Sequence, residues 1–195
     1  GTVENTIVGS YTLTYSVSDS SNNQAIPITR VVNVEDNTKP VITLLGNTNV
    51  TIEVGTNFTD PGVVASDNYD NDSSLTGLIS VSGSVDTTEL GAYLLTYSVS
   101  DSSGNSADPV DRTVQVVDTT APIISLNGNS SINHTYQTSF VDPGATASDL
   151  SGIDLTNSIV IVNNVDINTV GSYTVTYDVS DNSGNQATQA VRTVN

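Results

Sequence analysis

Apolar and polar residues alternate along short stretches of this chain. Between 173 and 181, Tyr173, Val175, Tyr177 and Val179 fall on one side, and Thr174, Thr176 and Asp178 on the other. A period of two marks a strand with one buried and one wet face. Turn clusters interrupt the alternation: Gly-Asn-Thr-Asn at 46–49, Asp-Pro-Gly at 60–62, Ser-Ser-Gly-Asn at 102–105 and Asn-Ser-Gly-Asn at 182–185. Short strands at this spacing predict an all-β sandwich or barrel of about seven strands.

The pattern repeats. Residues 9–23 (GSYTLTYSVSDSSNN), 91–105 (GAYLLTYSVSDSSGN) and 171–185 (GSYTVTYDVSDNSGN) match one another. So do FTDPGVVASD at 58–67 and FVDPGATASD at 140–149, and NVEDNTKPVITL at 33–44 and QVVDTTAPIISL at 115–126. Self-similarity of this kind signals tandem units that mainly contact their neighbours. The boundaries expected are 37–118 and 119–195 for two full units, with 1–36 as the second half of another. The chain then reads as a window on a longer array. The strands that complete 1–36 would come from upstream sequence or from another molecule. Asp118-Thr-Thr-Ala-Pro122 reads as a linker, because Pro122 lacks an N–H and holds Ala121 extended.

Gly9/Tyr11, Gly91/Tyr93 and Gly171/Tyr173 open the main strand of each unit as Gly-x-Tyr. This looks like a tyrosine corner, in which a Tyr hydroxyl bonds back to nearby backbone. Together with the unit length and the DTTAP junction, these residues resemble the bacterial immunoglobulin-like surface repeats, near the hyalin-repeat group. The resemblance covers the whole chain. It implies tandem immunoglobulin-like β-sandwiches on a secreted or cell-surface protein, as adhesin stalks, surface-layer parts or spacers in secreted enzymes. The Cys pair and core Trp of antibody domains are missing.

Composition narrows the function. Twenty-one acidic residues face four basic ones, for a net charge of −17, yet only 13% of residues are charged. The acidity is therefore a scarcity of Lys and Arg. Such a chain should be repelled by nucleic acid and by anionic membranes. No apolar run approaches the ~20 residues of a membrane helix. The absence of Cys excludes disulfides, Cys-based zinc sites and thiol catalysis.

Asp is the residue to explain. Calcium takes six to eight oxygen ligands, and Asp on a turn offers a short, stiff carboxylate. In an immunoglobulin-like sandwich the N-terminus, the loop after the second strand and the last hairpin loop share one end. That would gather Asp36, Asp60 and Asp101 at one pole, and Asp118, Asp142 and Asp181 at the next. Asp67, Asp70 or Asp72, at the bottom of the preceding unit, would add to the second set. Calcium at these junctions would stiffen the array by shielding clustered carboxylates. The competing reading is turn chemistry alone, since Asp side chains bond backbone N–H groups two residues on.

The remaining polar residues point to structure. Arg30, Arg112 and Arg192 recur at one position, as expected of an internal ion pair or of stacking on a strand Tyr. Tyr15, Tyr97 and Tyr177 share parity with the core Val residues and are expected to pack. His134 is the single His, so neither a His-based metal site nor a conventional triad can form, and no enzyme is expected. Lys39 is the sole Lys and its counterpart is Ala121, which excludes a Lys–Asn isopeptide bond in every unit. Five Asn-x-Ser/Thr sites (Asn49, Asn57, Asn71, Asn129, Asn133) match what chance gives in a chain this rich in Asn, Ser and Thr.

The reading is a structural or adhesive repeat segment of an extracellular surface protein, stalk or filament. Its partners would be neighbouring repeats of the same chain, or other copies of it. Two alternatives stand beside it: an accessory carbohydrate- or protein-binding module of a secreted enzyme, and a donor-strand filament subunit. The binding alternative rests on divergence at LSGIDLTNS (150–158) in the last unit and on His134.

Overall fold

A computed structural model describes residues 1–149 and 152–195. It is almost entirely β. Strands β1 (Gly9–Tyr15) and β2 (Ile28–Val34) form an antiparallel hairpin that pairs Gly9 with Val34 and Tyr15 with Ile28. The next repeat carries β3 (Val41–Leu44), β4 (Asn49–Glu53), β5 (Val63–Ser66), a helical turn α1 (Asp72–Thr76), β6 (Ser80–Ser82), β7 (Gly91–Ser98) and β8 (Val110–Val117). The last carries β9 (Ile123–Leu126), β10 (Ser131–Ile132), β11 (Ala145–Ser148), a 3-10 turn (Thr156–Ser158), β12 (Val160–Asn163), β13 (Tyr173–Asp178) and β14 (Ala190–Val194).

Each full repeat holds a two-stranded and a four-stranded sheet. The orders are β3–β5 with β4–β8–β7–β6, and β11–β9 with β10–β14–β13–β12. The short β10 runs parallel to β14, while β12, β13 and β14 are antiparallel neighbours. In the last repeat Ala145 of β11 packs with Val175, Tyr177 and Val194, with Ile124 and Leu126 of β9 against them. The core therefore lies between the two sheets, as in a sandwich.

Six strands form per full repeat among the described residues, against the expected seven. Between β5 and β6 of the middle repeat the chain makes α1 instead. Asn71 caps it by accepting from the Ser74 N–H, and Leu75 buries its side chain. Asn is a favoured N-cap, and one buried Leu anchors so short a turn.

Period two governs burial. Leu95, Tyr97 and Val99 are buried, as are Arg112, Val114 and Val116, and then Val175, Tyr177 and Val179. The hairpin β1–β2 differs. Tyr97 and Tyr177 are 0% exposed, but Tyr15 is 47% exposed, and Ile28 and Val31 also face solvent.

The chain divides by contacts into two compact units. One comprises Gly1–Val50, Thr59–Val85 and Leu94–Thr113, the other Thr51–Phe58, Asp86–Tyr93 and Val114–Asn195. The division runs through the middle repeat, so the 36/37 and 118/119 junctions each fall inside a unit.

Candidate functional site: acidic groups and the buried arginines

The last hairpin loop of each repeat is built by one Asp and one Asn. Asp101 Oδ1 accepts the Asn105 N–H at 2.7 Å, and its Oδ2 accepts Asn105 Nδ2 at 2.8 Å. Asp181 and Asn185 do the same at 2.8 and 2.9 Å, and so do Asp19 and Asn23 at 2.8 Å each. Gly104 and Gly184 take the left-handed backbone this loop needs, with φ of 91° and 89°. Asn22 fills that place in the first loop at φ 63°, a conformation Asn tolerates better than most residues. Burial opposes ionisation of Asp101 and Asp181, but the Asn and backbone donors win and hold both below the usual carboxylate range.

The same Asn residues latch the linkers. Asn105 Nδ2 also donates to the Asp36 carbonyl at 3.0 Å, and Asn185 Nδ2 to the Asp118 carbonyl at 3.1 Å. This brings Asp36 beside Asp101, and Asp118 beside Asp181.

Two acidic groups result. One carboxylate oxygen from each of Asp36, Asp67, Asp70 and Asp101 lies within 4.8 Å of the others. Asp118, Asp149 and Asp181 form a second group by the same measure. At an effective dielectric of ~20, two carboxylates ~5 Å apart repel by about 3 kcal/mol. Donors offset part of this in the first group. Asp67 Oδ2 accepts from the Tyr69 and Asp70 N–H groups, and Asp70 Oδ2 from Ser102 N and Oγ at 3.2 and 3.0 Å. Asp36 Oδ1 accepts the Thr38 N–H at 3.1 Å.

Asp60 and Asp142 lie elsewhere. Each faces a buried arginine instead of an acidic group. Tyr97 donates to Asp60 Oδ2 at 2.8 Å, and Arg112 Nε stands 3.2 Å from Asp60 Oδ1. Tyr177 donates to both Asp142 oxygens at 2.7 Å, and Arg192 Nη1 pairs with Asp142 Oδ1. Both arginines are 0% exposed. Arg192 also donates to the Asn129, Asn127 and Gly144 carbonyls, and lies 5.6 Å from the Tyr177 ring centroid. Arg112 Nη2 donates to the Leu45 and Gly62 carbonyls. A guanidinium in a core requires a carboxylate nearby, which accounts for where the Asp-Pro-Gly carboxylates point. Burial, reinforced by Asp142, pushes the Tyr177 hydroxyl up to about 12; burial and Asp60 raise Tyr97 as well. Arg30 is exposed.

Asp67 and Asp70 join Asp36 and Asp101, not the Asp118 set to which the sequence assigned them. Asp72 joins neither group; at the start of α1 its Oδ1 accepts the Asp67 N–H. Tyr11, Tyr93 and Tyr173 each donate to the carbonyl four residues upstream, at 2.9, 2.9 and 2.7 Å. His134 Nε2 lies 3.1 Å from the Thr138 carbonyl oxygen, and its ring meets Phe140 edge-on. Lys39 pairs with Asp108 on the surface. Of the divergent LSGIDLTNS stretch, Leu150 and Ser151 lie outside the described residues.

Two contributors escaped the sequence. Asp149 is the counterpart of Asp67 in the matched FTDPGVVASD and FVDPGATASD segments, so that match was its signal. Glu53 on β4 gathers four hydrogen bonds from the linker: Thr119 N at 2.8 Å, Thr119 Oγ1 at 2.9 Å, Thr120 N at 3.0 Å and Thr120 Oγ1 at 2.7 Å. The Thr120 and Thr119 donors hold its carboxyl below the usual range. Nothing local in the sequence pairs residues so far apart.

Sandwich repeats pinned by tyrosine corners, with a wholly buried arginine beside an aspartate in each full repeat, define an immunoglobulin-like class. The chain belongs to the family described as "Bacterial surface protein, Ig-like domain", which matches residues 42–116 and 124–195. It is similar to hyalin of Strongylocentrotus purpuratus, 30% identical over 195 residues, which cover 96% of this chain and 16% of hyalin. It is also similar to an uncharacterized 81.3 kDa protein of Acholeplasma phage L2, 32% identical over 198 residues, covering 94% of this chain and 26% of that protein. The chain thus spans about a sixth and a quarter of these relatives. Among solved structures, Sidekick-1 immunoglobulin domains 1–4 match 99% of this chain and 59% of that one at 11% identity and a TM-score of 0.34, too low to add to the assignment. No helix among the described residues is long and apolar enough to cross a membrane.

Proposed function

We propose that this chain is a spacer segment of an extracellular surface protein, a piece of stalk or filament that positions other domains. One observation carries the reading: both repeat junctions lie inside compact units, with their linkers bonded into the fold. Asn105 holds the Asp36 carbonyl, Asn185 holds the Asp118 carbonyl, and Glu53 holds Thr119 and Thr120. A linker so held transmits position from one repeat to the next, which is what a spacer requires and a loosely tethered module does not. Calcium belongs to this reading, because the carboxylates beside the first junction are the hard oxygen donors it takes.

The test is binding. The whole chain is probed against glycan and matrix-protein arrays, with uniform silence expected. A reproducible ligand, lost on loop substitution, would replace the spacer reading with that of a binding module.

A further inference from the structure

We infer that the four carboxylates of Asp36, Asp67, Asp70 and Asp101 form a calcium site that the Asp118, Asp149 and Asp181 group does not match, with Asp70 as the deciding ligand. This deepens the spacer reading and rests on its calcium component.

Two carboxylate oxygens of the first group carry an unmet demand. Asp36 is 9% exposed, and its Oδ2 is shielded from solvent without a hydrogen-bond partner in the protein. Asp67 Oδ1 is in the same condition. The other oxygen of each is already bonded to backbone N–H groups. A buried carboxylate oxygen without a donor is costly, and costlier beside three other carboxylates. A hard cation removes both costs together.

The spacing of the four carboxylates suits the size of calcium. Calcium–oxygen bonds of 2.3–2.6 Å put ligands on opposite sides of the ion ~5 Å apart. Oxygens all within 4.8 Å of one another meet that limit. Carbonyls and water can complete the six to eight ligands calcium takes. A concavity lined by Val8, Glu35, Asp36, Asn37, Tyr69 and Ser102 opens beside the group and gives an ion access.

The two acidic groups differ. The second group has three carboxylates. The loop after Asp149 reads Leu-Ser-Gly-Ile-Asp. That last residue, Asp154, does not join the group among the described residues. Calcium affinity follows the number of charged ligands.

The experiment uses the whole chain. Calorimetric titration with calcium should show one site per chain, and terbium luminescence excited through Tyr69 should be quenched by added calcium. Asp70→Asn should weaken calcium binding at least tenfold while circular dichroism stays unchanged. Asp67→Asn serves the same purpose if the first variant misfolds. Asp181→Asn should leave the calcium site intact. Tyr69→Phe should lose the terbium signal yet retain calcium binding. No calcium heat at millimolar concentration, two equivalent sites, or full affinity in a folded Asp70→Asn variant would each overturn the inference. Silence on the binding arrays would still support the spacer reading in that event, so the two claims fail separately.

Discussion

Arg192 and Asp142 form an ion pair inside the last sandwich, with the arginine side chain wholly shielded and the aspartate 13% exposed. Tyr177 bridges them, donating to Asp142 and accepting from Arg192 Nη1 at 2.8 Å. Breaking a buried pair from one side leaves an uncompensated charge and costs roughly 3–5 kcal/mol. Arg192→Met should therefore destabilise the last repeat by about that much in urea unfolding. Replacing both partners with apolar residues should recover most of the loss. Arg112→Met should cost less, because Asp60 is 29% exposed and water can solvate it. Unchanged stability in Arg192→Met would contradict the structural role of this residue.

Alkali should act through Tyr177. Its hydroxyl is pushed up to about 12 in the fold, above the ordinary value of 10.0. The unfolded chain therefore loses the proton first as pH rises. The stability contributed by the neutral hydroxyl is complete below pH 10 and is lost on the way through about pH 12. Denaturation midpoints across that window should fall in the native chain, and Tyr177→Phe should flatten the dependence.

Glu53 makes a different prediction, about motion. Glu53→Ala removes four bonds from Thr119 and Thr120 while leaving both sheets intact. Backbone order parameters at 119–121 should drop from the ~0.85 of rigid backbone to below ~0.6. The clamp also has a pH sign. The Glu53 carboxyl is lowered by its Thr donors, so its contribution is present above 4.5, the ordinary Glu value, and is lost as pH falls through the lowered one. Order parameters that stay high in Glu53→Ala would show that other contacts hold the linker.

The loop glycines give a local test. Gly104 sits at φ 91° with open space around a would-be Cβ. The cost of Gly104→Ala is thus backbone strain alone, about 1 kcal/mol. Asn22→Gly, at the equivalent place in the first loop, should be neutral or slightly stabilising by thermal melting.

Much of this was legible in the residues. Parity put Tyr97, Tyr177 and Val175 in the core, and recurrence at one position marked Arg112 and Arg192 for an internal ion pair or stacking on a strand Tyr. The end that the N-terminus and the last hairpin loop share in an immunoglobulin-like sandwich put Asp36 near Asp101, and Asp118 near Asp181. The placement of Asp60 and Asp142 was not legible, because it depends on which way an Asp-Pro-Gly turn faces. That direction is set by an arginine some fifty residues on. Asp72 was inseparable from Asp70 until α1 formed, since the helical turn sends the two carboxylates to different partners. Glu53 and Thr119 meet only because β4 and the linker after β8 lie side by side, a tertiary fact without a local pattern.

The central claim is that the linkers are held within the fold, and nitrogen-15 relaxation at the 118/119 junction tests it most directly. Amides of residues 51–58 and 86–93 should share one rotational correlation time with those of β13 and β14, and residues 118–122 should be as ordered as the strands. Separate correlation times on the two sides of the junction, with disordered amides between them, would contradict the account.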